Sequence, residues 1–179
     1  MFRKFAAVVI AVGVAFGTAG CNMVNPVASI EAYTPSDGSQ ADLGKVAARN
    51  FILLTHGEHR WLVGTIVNSG LDNQQLSLSY EEEGATKVQT ITLTPGQKFD
   101  LGYNGTSALM VKTDTPAGAL FPVTLAAQGV EPVALAVPAL DSTLEEYKLL
   151  IKKLAEDAGI EFVEPTAAPT KDATHSGDH

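Results

Sequence analysis

His56 and His59 stand three residues apart on either side of Gly57-Glu58, between apolar stretches. Imidazole is the side chain most suited to bind a metal or carry a proton near neutral pH. A continuous strand would set the two rings on opposite faces, whereas a turn at Gly57 brings both together. Two ligands do not define a specific site, so the competing reading is a pair of solvated histidines on a hairpin loop. Glu81-Glu82-Glu83 contains adjacent carboxylates, but neighbouring strand residues face opposite ways and a run of acids before Gly84 reads as a solvated turn. The other two histidines, His175 and His179, belong to the C-terminal tail. No Gly-rich phosphate loop, Gly-x-Ser-x-Gly turn or His-Glu-x-x-His is present, and no residue is assigned a catalytic role. The chain is read as non-enzymatic.

Cys21 is the single cysteine, so no internal disulfide can form. It follows Met1-Phe2-Arg3-Lys4, an apolar run from Phe5 to Phe16, and the small residues Gly17-Thr18-Ala19-Gly20. This is the layout of a secretory signal, and the run is too short for a hydrocarbon core that needs about 20 apolar residues. Ala19-Gly20-Cys21 resembles the lipobox of bacterial lipoproteins, with Thr18 where Leu is commonest. Residues 1–20 are therefore expected to be a signal peptide and Cys21 the lipidated first residue, held by two or more acyl chains at the outer face of the cytoplasmic membrane. Removal of Arg3 and Lys4 makes the exported part more acidic than the whole chain's charge of −8. With 20 acidic and 12 basic residues and no basic stretch longer than two, nucleic acid is not expected as a partner.

These residues need elements to position them. Residues 21–41 are rich in Asn, Pro, Ser, Asp and Gly and read as a lipidated tether, in which Ile30 to Tyr33 has the pattern of an edge strand. Residues 42–140 are broken by turn residues at short intervals. Phe51 to Leu54 and Trp61 to Val67 are apolar on both alternating faces, as central strands covered on two sides are. Leu76, Leu78 and Tyr80 alternate with polar residues, and Val88 to Leu93, Phe99 to Tyr103, Ala108 to Lys112, Phe121 to Ala126 and Val133 to Val137 continue the series. The expected fold is mainly β: an antiparallel cupredoxin- or immunoglobulin-like sandwich of seven or eight strands with one C-terminal α-helix. Trp61 is expected between the sheets.

The helix falls in residues 141–162, from about Thr143 to Ala158. Ser142 and Glu145 have capping-box spacing, and Gly159 stands where a C-terminal cap belongs. Leu144, Tyr147, Ile151, Leu154 and Ala158 form one apolar stripe. Either the stripe packs on the sandwich, or it docks on a partner, with Tyr147, Ile151 and Leu154 as the contact residues. Residues 163–179 read as a disordered tail.

The order of Asn50-Phe51-Ile52-Leu53-Leu54, Leu62 to Gly70, Thr94-Pro95-Gly96-Gln97-Lys98, Leu109-Met110-Val111-Lys112 and Pro122-Val123-Thr124-Leu125 resembles the periplasmic copper chaperones of the PCuAC type. The resemblance implies a cupredoxin-like body. It also implies copper held by a first His/Met motif and a second His-x-Met. Here the second motif is Ala108-Leu109-Met110, without the histidine, and no His/Met pair lies between Leu71 and Gln89. Met110 alone cannot hold Cu(I). The expectation is accordingly no cofactor and no metal site, with copper bound by His56, His59 and Met110 as the alternative.

The lipobox, tether, degenerate domain and Pro/Ala tail together look like the actinobacterial LpqE-type lipoproteins. That resemblance implies an interaction module serving as an accessory subunit of the cytochrome bc1-aa3 respiratory supercomplex. The alternative is an extracytoplasmic copper chaperone for cytochrome oxidase.

Overall fold

The computed structural model describes residues 37–164. The signal peptide, Cys21, the Ile30 to Tyr33 strand, and His175 and His179 lie outside the described residues. Nine strands are present among those described: β1 (Ser39–Leu43), β2 (Val46–His56), β3 (His59–Asn68), β4 (Gln74–Glu82), β5 (Ala85–Leu93), β6 (Lys98–Leu101), β7 (Leu109–Met110), β8 (Leu120–Ala127) and β9 (Val133–Leu140). They are followed by helix α1 (Glu145–Asp157). The strands join in the order β5-β4-β8-β9-β2-β3-β6, with β1 against β2 and β7 against β3.

Every pairing but one is antiparallel, and the exception corrects the expected sandwich. β9 runs antiparallel to β8 from Val133 to Pro138, then passes parallel to β2 through Leu53↔Ala139 and Leu54↔Leu140. β2 has room for it because β1 is short. Along one edge of β2, β1 covers residues from Val46 to Phe51 and leaves Leu53 and Leu54 free for β9. The changeover falls at an irregularity between Arg49 and Ile52, where Asn50 adopts φ 51°. A strand that switches partners in this way joins two halves of a sheet at a corner. The result is one mixed, curled sheet. Residues 39–41, expected at the end of the tether, belong to β1.

The curled sheet encloses a main core that includes Leu43, Val46, Phe51, Leu53, Leu62, Ile66, Leu76, Leu78, Phe121, Leu125 and Val137. Phe51 comes close enough to β3 that a Cβ on Gly64 would lie 2.7 Å from its ring, so position 64 accepts only glycine without local displacement. Asn68 is fully buried at the end of β3. Its side-chain amide donates to the carbonyls of Asp72, Leu93 and Thr94, and its Oδ1 accepts the Gly70 N–H, which ties two turns to the core.

The other face of β2 and β3 carries a second core. Ile52, Leu54, Trp61 and Val63 pack against Ile151, Leu154 and Ala155 of α1. The two-sided apolar pattern of these strands is thus met by the sheet interior on one side and the helix on the other. Trp61, expected between sheets, lies under the helix at 2% exposure. The helix starts later than its sequence signals suggest: Leu144 is the N-cap and makes no side-chain cap bond, while Ser142 is buried. Its end matches expectation. Gly159 has φ 70°, its N–H donates to the Glu156 carbonyl, and the Ile160 N–H donates to the Ala155 carbonyl, a Schellman closure.

Candidate functional site

The β2–β3 hairpin turns tightly through Gly57-Glu58, so that His56 and His59 are directly paired across it. Counting by twos along each strand places them on the face of Leu54 and Trp61, the side that α1 covers. The turn therefore brings both histidines to one face. Trp61 in turn pairs with Met110 of β7, which is 45% exposed, so His56, His59 and Met110 share a face of three neighbouring strands.

The two rings have different surroundings. His56 stacks on Phe162 with centroids 4.7 Å apart and planes 10° from parallel, and its Nε2 accepts the Val163 N–H at 3.1 Å. That bond requires a lone pair on Nε2, so the neutral ring carries its proton on Nδ1. His59 leans on Trp61 at 5.9 Å between centroids. Beyond it opens a groove lined by His59, Met110, Glu58, Glu81, Glu83 and Asp114. Arg60 holds the hairpin in place by donating from Nε to the Thr115 carbonyl and from Nη1 to the carbonyls of Gly57 and His59.

The three consecutive glutamates do not act together. Glu81 accepts from the Thr86 hydroxyl, Glu82 accepts the Lys112 N–H at 2.8 Å, and Glu83 occupies the turn with φ 51° beside Lys112. Among the described residues, no three His, Cys, Asp or Glu side chains are arranged to hold a metal ion.

The middle of the proposed docking stripe is covered by the protein itself, while Leu144 and Ala158 at its ends are exposed. Ile151 and Leu154 are 0% and 5% exposed, within the core beneath α1. They are not available to a partner in this arrangement, because β2 and β3 offer the apolar face that covers them. Tyr147 packs at the rim of the same cluster and donates its hydroxyl to Asp37 at 2.6 Å. Burial, reinforced by that carboxylate, pushes the Tyr147 hydroxyl well above the ordinary tyrosine range. The bond ties the start of the described chain to the helix.

Two features went unnoticed in sequence. One is the docking of Phe162 and Val163 on His56, for which a separation of about a hundred residues left no local signal. The other is Asp100, which accepts from Asn104, Thr65 and Lys98 and is held below the usual carboxylate range, chiefly by the Asn104 bond.

No family model matches the chain, and no curated protein matches it. Solved domains similar to a little more than half of it include three PCuAC domains. The apo PCuAC domain from PmoF1 aligns at 19% identity and TM-score 0.46, across 57% of this chain and 98% of that domain. The apo PmoF2 PCuAC domain aligns at 18% and 0.42, across 57% and 94%. The copper-bound PCuAC domain from PmoF2 aligns at 15% and 0.42, across 57% and 97%.

Proposed function

We propose that the chain is a non-enzymatic, lipid-anchored extracytoplasmic binding module, working as an accessory subunit of the cytochrome bc1-aa3 supercomplex at the outer face of the cytoplasmic membrane. The observation that carries the non-catalytic reading is how its reactive groups are used. His56 holds the C-terminal segment, Arg60 three carbonyls, Glu82 a backbone N–H and Asp100 three donors, so groups capable of chemistry are engaged in fixing loops. The anchor and the partner rest on the sequence, on Ala19-Gly20-Cys21 and on the resemblance to LpqE-type lipoproteins. Affinity purification of the tagged full-length chain from membranes tests the partner, with oxidase and bc1 subunits expected in stoichiometric yield. Their absence under mild detergent rejects it.

Cys21→Ala is expected to move the chain out of the membrane fraction, because the acyl chains supply the attachment. A variant that stays as firmly bound as wild type through a high-salt wash would show that the anchor is not the lipid.

Copper carriage is the second reading, favoured by the placement of His56, His59 and Met110 on one face. As cargo, Cu(I) would meet the His59 imidazole and the Met110 thioether in the groove, while His56 keeps its Nε2 bond to Val163. Soft ions are held tightly by several thioether, thiolate or imidazole ligands, and two make a weak site. Titration of the chain against a strong Cu(I) chelator is expected to show no transfer to the protein. Tight retention that disappears in Met110→Ala would make copper carriage the main role.

A further inference from the structure

Asn104 and Gly105 form the centre of a tight turn after β6, with φ 51° and 83°, closed by the Thr106 N–H donating to the Tyr103 carbonyl at 2.9 Å. Positive φ at both central positions is what asparagine followed by glycine adopts most readily. Of the six asparagines in the chain, this one alone precedes a glycine. Asn73 is also exposed but precedes Gln74, and Asn68 is fully buried before Ser69. An Asn-Gly step is the least hindered for attack of the following backbone nitrogen on the side-chain amide, because glycine has no Cβ beside that nitrogen. The turn leaves the nitrogen available. The Gly105 N–H donates to no atom of the described residues, and nothing lies within 4 Å of where a Cβ on Gly105 would stand. One bond works against the attack. Asn104 Nδ2 donates to Asp100 Oδ2 at 2.8 Å, and the same carboxylate accepts from Thr65 and Lys98. The Asn104 bond is the chief reason that Asp100 stays below the usual carboxylate range and ionised at neutral pH. It holds the amide in place and sets a negative charge beside the carbon to be attacked, where it opposes the oxyanion that attack creates.

We propose that Asn104 is a self-modification site, converted by water to aspartate and isoaspartate through a cyclic imide, with Asp100 as the group that restrains the rate. The Gly105 nitrogen forms a bond to Asn104 Cγ and gives its proton to water. The Cγ–Nδ2 bond breaks, and Nδ2 leaves as ammonia with a proton taken from water. A water molecule then adds to one of the two imide carbonyls and breaks its bond to the Gly105 nitrogen. Opening at Cγ gives aspartate with the original main chain, whereas opening at the main-chain carbonyl gives isoaspartate, in which the chain runs through the former side chain. The net change is water consumed and ammonia released, with nothing oxidised or reduced. Either product loses the Nδ2 donor and sets a second carboxylate against Asp100, and isoaspartate also lengthens the turn by one carbon. The turn leads directly into Thr106 to Leu109, which line a cleft of about 330 Å³ with Ile91 of β5 and Phe99 of β6. The modification therefore loosens a segment packed at the margin of the main core.

The test follows the purified full-length chain by peptide mapping during prolonged incubation at mildly alkaline pH. Asn104 should gain the mass of an amide-to-acid conversion well before Asn73, as two products separable by chromatography. Conversion should be several-fold faster in urea, where the turn is open. Asp100→Asn keeps the shape of the side chain and removes its charge, and its folded form should convert at a rate between those of folded and urea-unfolded wild type. If Asp100→Asn does not fold, Asp100→Ser makes the same comparison. Asn104→Asp, which reproduces one product, should melt below wild type. An Asn104 that stays intact while Asn73 converts, or a rate left unchanged or lowered when the Asp100 charge is removed, overturns the proposal.

Discussion

Ile151→Glu is expected to lower stability by about 3 to 5 kcal/mol, because it replaces a fully buried side chain with a charge that has no partner. The cluster that holds Ile151 includes Ile52, Leu54, Trp61 and Val63, none of which carries a positive charge to pair with a carboxylate. The side chain must either be desolvated in place or pull α1 off the sheet. At about 4 °C per kcal/mol for a domain of this size, the melting temperature falls by roughly 12 to 20 °C. The deficit has a defined pH dependence. A protonated acid is cheaper to bury, so the folded-state pKa of the introduced group is raised above its unfolded value, and stability relative to wild type improves as pH falls through that raised value. A loss below about 1 kcal/mol, well under the range expected for such a burial, would mean that the helix is not seated on β2 and β3. The face of Ile151 and Leu154 would then be open to a partner after all.

Trp61→Ala is expected to cost about 3 to 5 kcal/mol, as large aromatic truncations in cores do. Trp61 is the only tryptophan, so the emission of the wild-type chain reports on this one position. At 2% exposure it should emit to the blue of a solvated indole and shift red on unfolding. Because the ring lies beneath α1, its emission also follows helix docking, and the native spectrum of Ile151→Glu should already be red-shifted. Native wild-type emission typical of water would contradict the packing of β3 against the helix.

The eight strands from Phe51 to Val137 were legible because turn residues bound each one and apolar residues mark its buried positions. β1 was not, because Ser39-Gln40-Ala41-Asp42-Leu43 is mostly polar and gains its place from pairing with β2. Nor could alternation reveal the parallel join, since it records which face of a strand is buried and not which strand lies beside it. The cover for the helix stripe was available in two separate facts. β2 and β3 are apolar on both faces, and one enclosed core can cover only one of them. An apolar stripe of suitable length follows at the C-terminus, and each pattern accounts for the other. The histidine pair was legible as far as the turn at Gly57. The commitment of His56 to Val163 depends on where the chain beyond Gly159 is led by its C-cap, which has no signature in the residues around His56.

The placement of β2 and β3 at the centre of the fold has a kinetic consequence. Both strands lie early in the chain, yet one face is completed by β8 and β9 and the other by α1, from Leu120 onward. Hairpins β2–β3, β4–β5 and β8–β9 join neighbours in sequence and can form as local units, whereas the β4–β8 and β2–β9 joins and the seating of α1 each close a long loop. Contacts at such separation slow folding, into the millisecond-to-second range for all-β domains. A chain made from its N-terminus presents two largely apolar strand faces until nearly all of it has emerged, a species prone to self-association. Truncation anywhere before Leu120 should therefore yield aggregating or degraded product rather than a smaller folded domain, and the last forty or so described residues act as the step that commits the chain to its native state.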